Sequence, residues 1–471
     1  MNARVKTKRA TDVIKIWDDL NFIVFIFGVN VLRKIDHSAG WHRILLIDSE
    51  KSISKKGPNS LETLPNSIKI EHLKSLTNQF DLVYFFNSNG AGDSYLALGS
   101  QKSVQCKSTS LEDVKVWLET NKSKWVFGSF GYDLKNQVED LGSYNDDLIG
   151  FPESFFFVPD VLLKIDQYGV ETSLLKELAE IKESSILGSS EQISVTWMVS
   201  ESKYLENVSA ILDHIQKGDI YELNYCHEFY ATNVEIDPIS LYKEVNELTK
   251  APFNAFVKNG DHFAICASPE RFIKRVGSKI ISQPIKGTIK RDVDPAKDQM
   301  LIDQLENDEK ERSENIMIVD LVRNDLSKVA LPNSVEVDEL CKIYSFETVH
   351  QMISTVSATV NDHQNNFDII MSCFPMGSMT GAPKIRAMQL IEKYESTKRG
   401  LYSGAIGYFK PGGDFDFNVV IRTLLYNQEN KNLSGMVGGA ITAKSDPKKE
   451  FEETKLKAEA LIKAISNASS R

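Results

Sequence analysis

Strand-patterned and helix-patterned runs follow one another along this chain without the regular alternation of a doubly wound parallel sheet. That order limits the fold more than any other feature. Between residues 21 and 165 short apolar runs are split by turn residues: RILLIDS at 43–49, DLVYFFN at 81–87, KWVFGSFGYDL at 124–134 and SFFFVPDVLLKI at 154–165. They read as strands. Residues 202–217 place Tyr204, Val208, Ile211, Leu212 and Ile215 at helical spacing, and Gly218 closes the run. Strand patterns then cover 220–231, 253–267, 271–275 and 279–283. Helical patterns cover 300–326, 345–354, 367–373 and the segment after Pro383; strands return at 403–410, 416–426 and 433–442, and a last helix spans 447–466. The mixture predicts an α+β fold. Residues 1–20 read as a frayed terminus. A Ser- and Glu-rich stretch at 166–200, with one helical pattern near 174–183, divides a region 21–190 from a region 191–471.

A net charge of −10, from 55 basic and 65 acidic residues, argues against a nucleic-acid binder with a broad basic surface and against an anionic-membrane binder. It leaves room for an anionic small molecule in a locally positive pocket. The longest apolar run, FIVFIFGVNVL at 22–32, is too short to span a bilayer and reads as a buried strand or core segment. It follows Arg4, Lys6, Lys8 and Arg9, but Asp12, Asp18 and Asp19 interrupt any signal-peptide pattern. Cys106, Cys226, Cys266, Cys341 and Cys373 are odd in number and contain no C-x-x-C pair. They predict neither a disulfide framework nor a thiolate metal site, and they fit a reducing cytoplasm.

Two acidic pairs sit on predicted helices: Glu311 with Glu314, and Glu450 with Glu453. An i, i+3 spacing puts each pair on one helix face. Carboxylate oxygens suit a hard cation such as Mg²⁺, although solvated, lysine-paired helix surfaces give the same pattern. Lys286 in SQPIKGT is either an exposed turn lysine or a nucleophile whose pKa is lowered by burial. Glu270 in ASPERF is either a surface acid or a buried carboxylic acid fit for general acid work. In GSMTGAPK at 377–384, Pro383 suits a first helical turn and Ser378 or Thr380 can cap it. The freed amides of such a helix start can bind carboxylates. Gly438 and Gly439 inside a strand mark close approach by a ligand or a bulge. Arg422 reads as an inward cation on an apolar strand that needs an anionic partner.

In this order the segment from about 202 to 466 resembles the chorismate-utilising enzymes. The matching blocks are GDIYELNYC, ASPERF, PIKGT, RSENIMIVDLVRNDL, TVHQMIS, FPMGSMTGAPKIRAMQLIE, SGAIGYF, FNVVIRTL and GGAI followed by EFEETKLKA. FGSFGYDL at 127–134 and FPESFFFVPDVLLKID extend the resemblance toward the N-terminus. It implies an anthranilate synthase component I-like fold, with two packed antiparallel sheets, outer helices and a site between the sheets. Residues 191–471 would then be the chorismate-binding catalytic region and 21–190 the N-terminal region of the same fold.

The resemblance also implies site roles. Glu314 and Glu453 match Mg²⁺ ligands, with Glu311 and Glu450 as acidic partners. Arg422, Tyr408, Ser378, Thr380, Gly438, Gly439 and Ala440 match positions that meet substrate carboxylates, with Lys384 completing the TGAPK block. Glu270 matches the general acid for the departing C4 hydroxyl, and His350 a histidine close to the substrate ring. PIKGT, with Lys286, matches the aminodeoxychorismate synthase branch, whereas anthranilate and isochorismate synthases have PIAGT. This implies a covalent lysine adduct at C2 and amination at C4, with a neutral Lys286 in a pocket that depresses its pKa. The alternative is anthranilate synthase component I. Glu222 stands where isochorismate synthases have a lysine base and many amine-transferring relatives a Gln. No G-x-C-x-G block surrounds any cysteine, so a separate glutaminase subunit is expected to supply ammonia.

Overall fold

The computed structural model describes residues 70–100, 102–108, 110–165 and 192–469. The expectations for 1–20, 22–32, 43–49 and 174–183 lie outside these residues. Two ten-stranded sheets form the centre, and every recorded strand pair within them is antiparallel. The first runs, in spatial order, through Gly381–Ala382, Glu222–Ala231, Asn432–Thr442, Thr423–Asn427, His262–Ser268, Phe253–Asn259, Leu82–Asn87, Ser94–Gly99 and Val161–Ile165, with Thr196–Trp197 paired to Glu222–Ala231 as the tenth strand. The second runs through Ile285–Lys290, Val349–Thr359, Lys279–Gln283, Arg271–Val276, Phe415–Val419, Ala405–Phe409, Val126–Phe130, Ser154–Phe157 and Gln105–Lys107. Strands from before residue 166 thus pair with strands from after residue 191 in both sheets.

Period-two side-chain alternation explains the layering. Leu82 and Tyr84 point into a shared inner core with Phe127, Phe155, Phe157 and Ile406 of the other sheet. Their neighbours Val83 and Phe85 point outward, against residues of the helices Pro238–Thr249 and Pro447–Ser469. On the second sheet Val126, Phe130, Phe156 and Phe409 face outward, against Ile318, Val319 and Val322 of the helix Glu309–Ser327. Strands apolar on both faces are therefore what two packed sheets with outer helices require. Among the described residues no helix is long and apolar enough to cross a membrane.

Three sequence expectations change. The helix expected at 345–354 is the strand Val349–Thr359, which pairs with Lys279–Gln283, Ile285–Lys290 and Glu336–Ser345. Its β-branched residues Val349, Ile353, Thr355, Val356 and Thr359 suit a pleated, buried strand better than a helix. The helix expected at 300–326 is two, Pro295–Glu306 and Glu309–Ser327, because Asp308 accepts the Glu311 amide and starts a new helix. The strand expected at 416–426 breaks into Phe415–Val419 and Thr423–Asn427, with Arg422 in the break at φ 51°.

Candidate active site

Lys286 and Glu222 join the two sheets. Lys286 Nζ donates to Glu222 Oε1 at 3.2 Å, and both side chains are largely buried. Glu222 Oε2 is buried and accepts no hydrogen bond. Gly287, at φ 86°, follows Lys286; a Cβ there would lie 3.2 Å from Glu311 Cβ and 3.0 Å from Leu305. The glycine of PIKGT therefore lets the acidic helix pack directly over the lysine strand. Lys286 does not have the depressed pKa expected of it. Burial pushes its ammonium down, but the Glu222 and Glu314 carboxylates, the hydrogen bond to Glu222 and Glu270 outweigh burial and hold the ammonium above the ordinary lysine value.

Glu270 occupies the turn that carries the chain from one sheet to the other, between His262–Ser268 and Arg271–Val276. It is buried, and the Ser378 hydroxyl donates to its Oε1 at 2.7 Å. Burial raises its pKa to about 7, against the opposing effects of the Ser378 bond and the Lys286 charge. It is thus a carboxylic acid that keeps its proton near neutrality. Ser378 does not cap the following helix, and neither does Thr380. The Thr380 hydroxyl is fully buried and bonds back to the Met376 and Gly377 carbonyls of its own turn. The helix Lys384–Tyr394 starts after Pro383 with no side-chain cap. Lys384 reaches back instead, 2.6 Å from Asp325 Oδ2, and ties this helix to Glu309–Ser327.

The four expected metal acids gather beside Lys286. Burial raises Glu314 to about 7, with Lys286 and Lys310 opposing, and it raises Glu311 as well. Burial raises Glu453 too, but the Lys457 charge and hydrogen bond, with Lys310 and Lys286, leave it below the ordinary carboxylate value. Gly439 lies next to Glu450, since a Cβ there would sit 3.3 Å from Glu450 Oε2. Gly438 faces the other way, where a Cβ would clash with Cys226 Sγ at 2.4 Å and the Tyr225 carbonyl at 2.6 Å. Ala440, one residue on, is buried in the same strand.

An oxygen-only donor set on two helices fits a hard cation. Glu314 Oε1 is buried without a hydrogen-bond partner, and the Lys310 ammonium stands between Glu314 and Glu450 as a substitute positive charge. Among the described residues no three acidic, histidine or cysteine side chains converge closely enough to grip an ion as they stand.

Arg422 is part-buried, and its Nη1 donates to the Lys457 carbonyl at 3.1 Å. Among the described residues it has no carboxylate partner, so its charge is open to a ligand. Lys457 Nζ donates to the Gly438 carbonyl at 2.9 Å and pairs with Glu453 at 2.8 Å. Lys310 and Lys457 were not singled out from the sequence. Their signal was the i, i+4 spacing to Glu314 and from Glu453, which also describes a plain helix surface.

Two expected residues do not join this group. Tyr408 packs among Phe86, Tyr95, Trp125 and Phe127, with its ring 4.9 Å from that of Tyr95, and lines a separate cavity of about 550 Å³ with Arg271 and Asp416. Its alternation on the strand Ala405–Phe409 points it into the inner core, whereas Tyr402, kept neutral by burial, is the tyrosine near Arg422. His350 is fully buried with both ring nitrogens engaged, Nε2 at 2.9 Å from Asp298 Oδ1 and Nδ1 at 2.8 Å from Ser345 Oγ. It supports the strand beside Lys286 rather than presenting a free nitrogen.

Known proteins share this architecture. The fold resembles anthranilate synthase component I from Streptococcus pneumoniae TIGR4, with a TM-score of 0.67 at 24% identity over 87% of this chain and 95% of that one. In sequence the chain is 36% identical to aminodeoxychorismate synthase component 1 of Klebsiella aerogenes, over 70% of this chain and 74% of that protein. It is 39% identical to a probable chloroplastic aminodeoxychorismate synthase of Oryza sativa over 61% of this chain, a match spanning only 33% of the rice protein. For the chloroplastic Arabidopsis thaliana enzyme the identity is 35%, over 72% of this chain and 40% of that protein. Residues 81–463 match the family described as chorismate binding enzyme, and with the shared fold in place this chain belongs to that family.

Proposed function

We propose that this chain aminates chorismate at C4, giving 4-amino-4-deoxychorismate for 4-aminobenzoate and folate synthesis. The observation that carries the reading is the buried Lys286 held by Glu222 at 3.2 Å, with the buried acid Glu270 near enough for the Lys286 charge to act on it. Glu222, 3.2 Å away, is placed to take the proton that Lys286 Nζ must lose before it adds to C2. As that bond forms, the ring double bonds shift and the C4–O bond breaks. Glu270 supplies a proton, so the hydroxyl leaves as water. Ammonia then forms the C4–N bond, the double bonds shift back, and the C2–Nζ bond breaks with its electron pair returning to Lys286.

Arg422 and Lys457 present positive charge for the substrate carboxylates, and Gly439 leaves room for them beside the acids. Mg²⁺, with Glu314 and Glu453 as ligands and Glu311 and Glu450 around them, supplies the charge that anchors a substrate carboxylate and offsets the acids that keep Lys286 protonated. A separate glutaminase subunit supplies the ammonia, in keeping with the component 1 naming of the bacterial relatives.

The test is product identification after incubating the chain with chorismate, Mg²⁺ and ammonium. Formation of 4-aminobenzoate only when an aminodeoxychorismate lyase is added supports the reading. Anthranilate and pyruvate formed without a lyase would instead make the chain an anthranilate synthase component I.

A further inference from the structure

Lys310 lies in the first turn of the helix Glu309–Ser327, one residue before Glu311 and four before Glu314. Its Nζ is 3.8 Å from Glu314 Oε1 and 3.5 Å from Glu450 Oε1. Glu450 belongs to the other acidic helix, Pro447–Ser469, so this one ammonium bridges both carriers of the four glutamates. The other cations nearby hold other acids: Lys457 pairs with Glu453 at 2.8 Å, and Lys286 with Glu222, which leaves Glu314 and Glu450 to Lys310.

Both Lys310 contacts are long for charge-assisted bonds, which usually close to about 2.7–2.9 Å. They leave Glu314 Oε1 buried and without a hydrogen bond. The Lys310 side chain is itself 40% exposed, so it can turn into water without unpacking a core. The cluster therefore has a weakly held positive charge where a stronger one fits.

We propose that the Lys310 ammonium is the resident counter-cation of Glu314 and Glu450 within the Glu311, Glu314, Glu450 and Glu453 cluster, and that a divalent ion must displace it, so that Lys310 sets the affinity for Mg²⁺. This rests on reading the cluster as the metal site of the proposed reaction. A hard divalent ion takes carboxylate oxygens at about 2.0–2.1 Å and keeps several waters. It cannot share Glu314 and Glu450 with an ammonium at close range, because the two cations repel. Lys310 thus lowers the cost of burying Glu314 and Glu450 while competing for the same oxygens.

The test is calorimetric titration of MgCl₂ into the full chain without chorismate, for the wild type, Lys310→Met and Lys310→Arg. The dissociation constant is expected to fall about tenfold in Lys310→Met, on the scale where tenfold equals about 1.4 kcal/mol, and to stay near wild type in Lys310→Arg. Equal or weaker binding by Lys310→Met overturns the inference while leaving the amination reading intact. If neither protein binds Mg²⁺, the metal assignment itself falls, and the inference with it.

Should Lys310→Met fail to fold, acetylation of wild-type lysines followed by peptide mass spectrometry decides. Saturating MgCl₂ is expected to raise labelling of Lys310 severalfold relative to the exposed Lys448. Unchanged labelling of Lys310 overturns the proposal.

Discussion

Glu222 and Lys286 belong to different sheets, and their side chains close the gap between them at 3.2 Å. Glu222 is the nearest of the carboxylates that hold Lys286 protonated, and its second oxygen has no partner. Replacing it with the neutral isostere in Glu222→Gln removes one of those charges. The ascending limb of the kcat/KM–pH profile for chorismate amination should therefore move to lower pH. A limb that stays in place would mean that Lys286 deprotonation does not control the rate.

Lys286→Ala should reduce C4 amination by roughly a hundredfold or more, the scale of losing a group that takes part in bond and proton transfer. Chorismate binding, followed by quenching of protein fluorescence, should survive, because Arg422 and Lys457 are untouched. Near-wild-type turnover in this variant would remove the covalent lysine from the reaction.

Glu270 and Glu314 are both raised to about 7, first of all by burial. A carboxyl that binds its proton more tightly in the folded chain adds stability that is full below the ordinary carboxylate range. That stability is lost as pH rises through about 7. The metal-free protein should therefore melt at a lower temperature at pH 8 than at pH 5.5, and a Glu270→Gln/Glu314→Gln variant should show a smaller difference. For activity the same proton matters. The rate should fall as pH climbs past about 7, and Glu270→Gln alone should cost roughly 10²–10⁴-fold in kcat.

The two adjacent glycines should behave differently. Gly438→Ala forces a methyl against Cys226 Sγ and the Tyr225 carbonyl, a backbone atom that cannot step aside. Overpacking of this kind costs about 1–3 kcal/mol in urea unfolding. Gly439→Ala meets only the Glu450 and Lys457 side chains, at 3.3 and 3.8 Å. It should leave stability near wild type and raise the KM for chorismate.

Much of this was legible in the residues. Runs such as DLVYFFN at 81–87 read as strands and the mixture as α+β, whereas the two packed sheets and the site came from the resemblance carried by the TGAPK and SENIMIVDLVRNDL blocks. The errors have physical causes. The strand Val349–Thr359 is buried along nearly its whole length and mixes apolar with polar residues, so its sequence shows no clean alternation to separate it from a helix. Tyr402 and Tyr408 both lie near SGAIGYF, and only the alternation of Ala405–Phe409 reveals that Tyr408 faces the inner core. The charge on Lys286 was not legible because it depends on acids contributed by Glu222 and Glu314, which are distant in sequence. Local pattern carries faces and turns, whereas electrostatics needs the assembled neighbours.

The pairing across the two sheets also sets a timetable for synthesis. The strand Val126–Phe130 waits for Ala405–Phe409, and Leu82–Asn87 waits for Phe253–Asn259. At ribosomal rates the first wait covers about 275 residues and lasts on the order of tens of seconds. Throughout it Phe127 and Phe130 lack the neighbour that later covers them, so the nascent chain is most prone to mispairing before Ala405–Phe409 emerges.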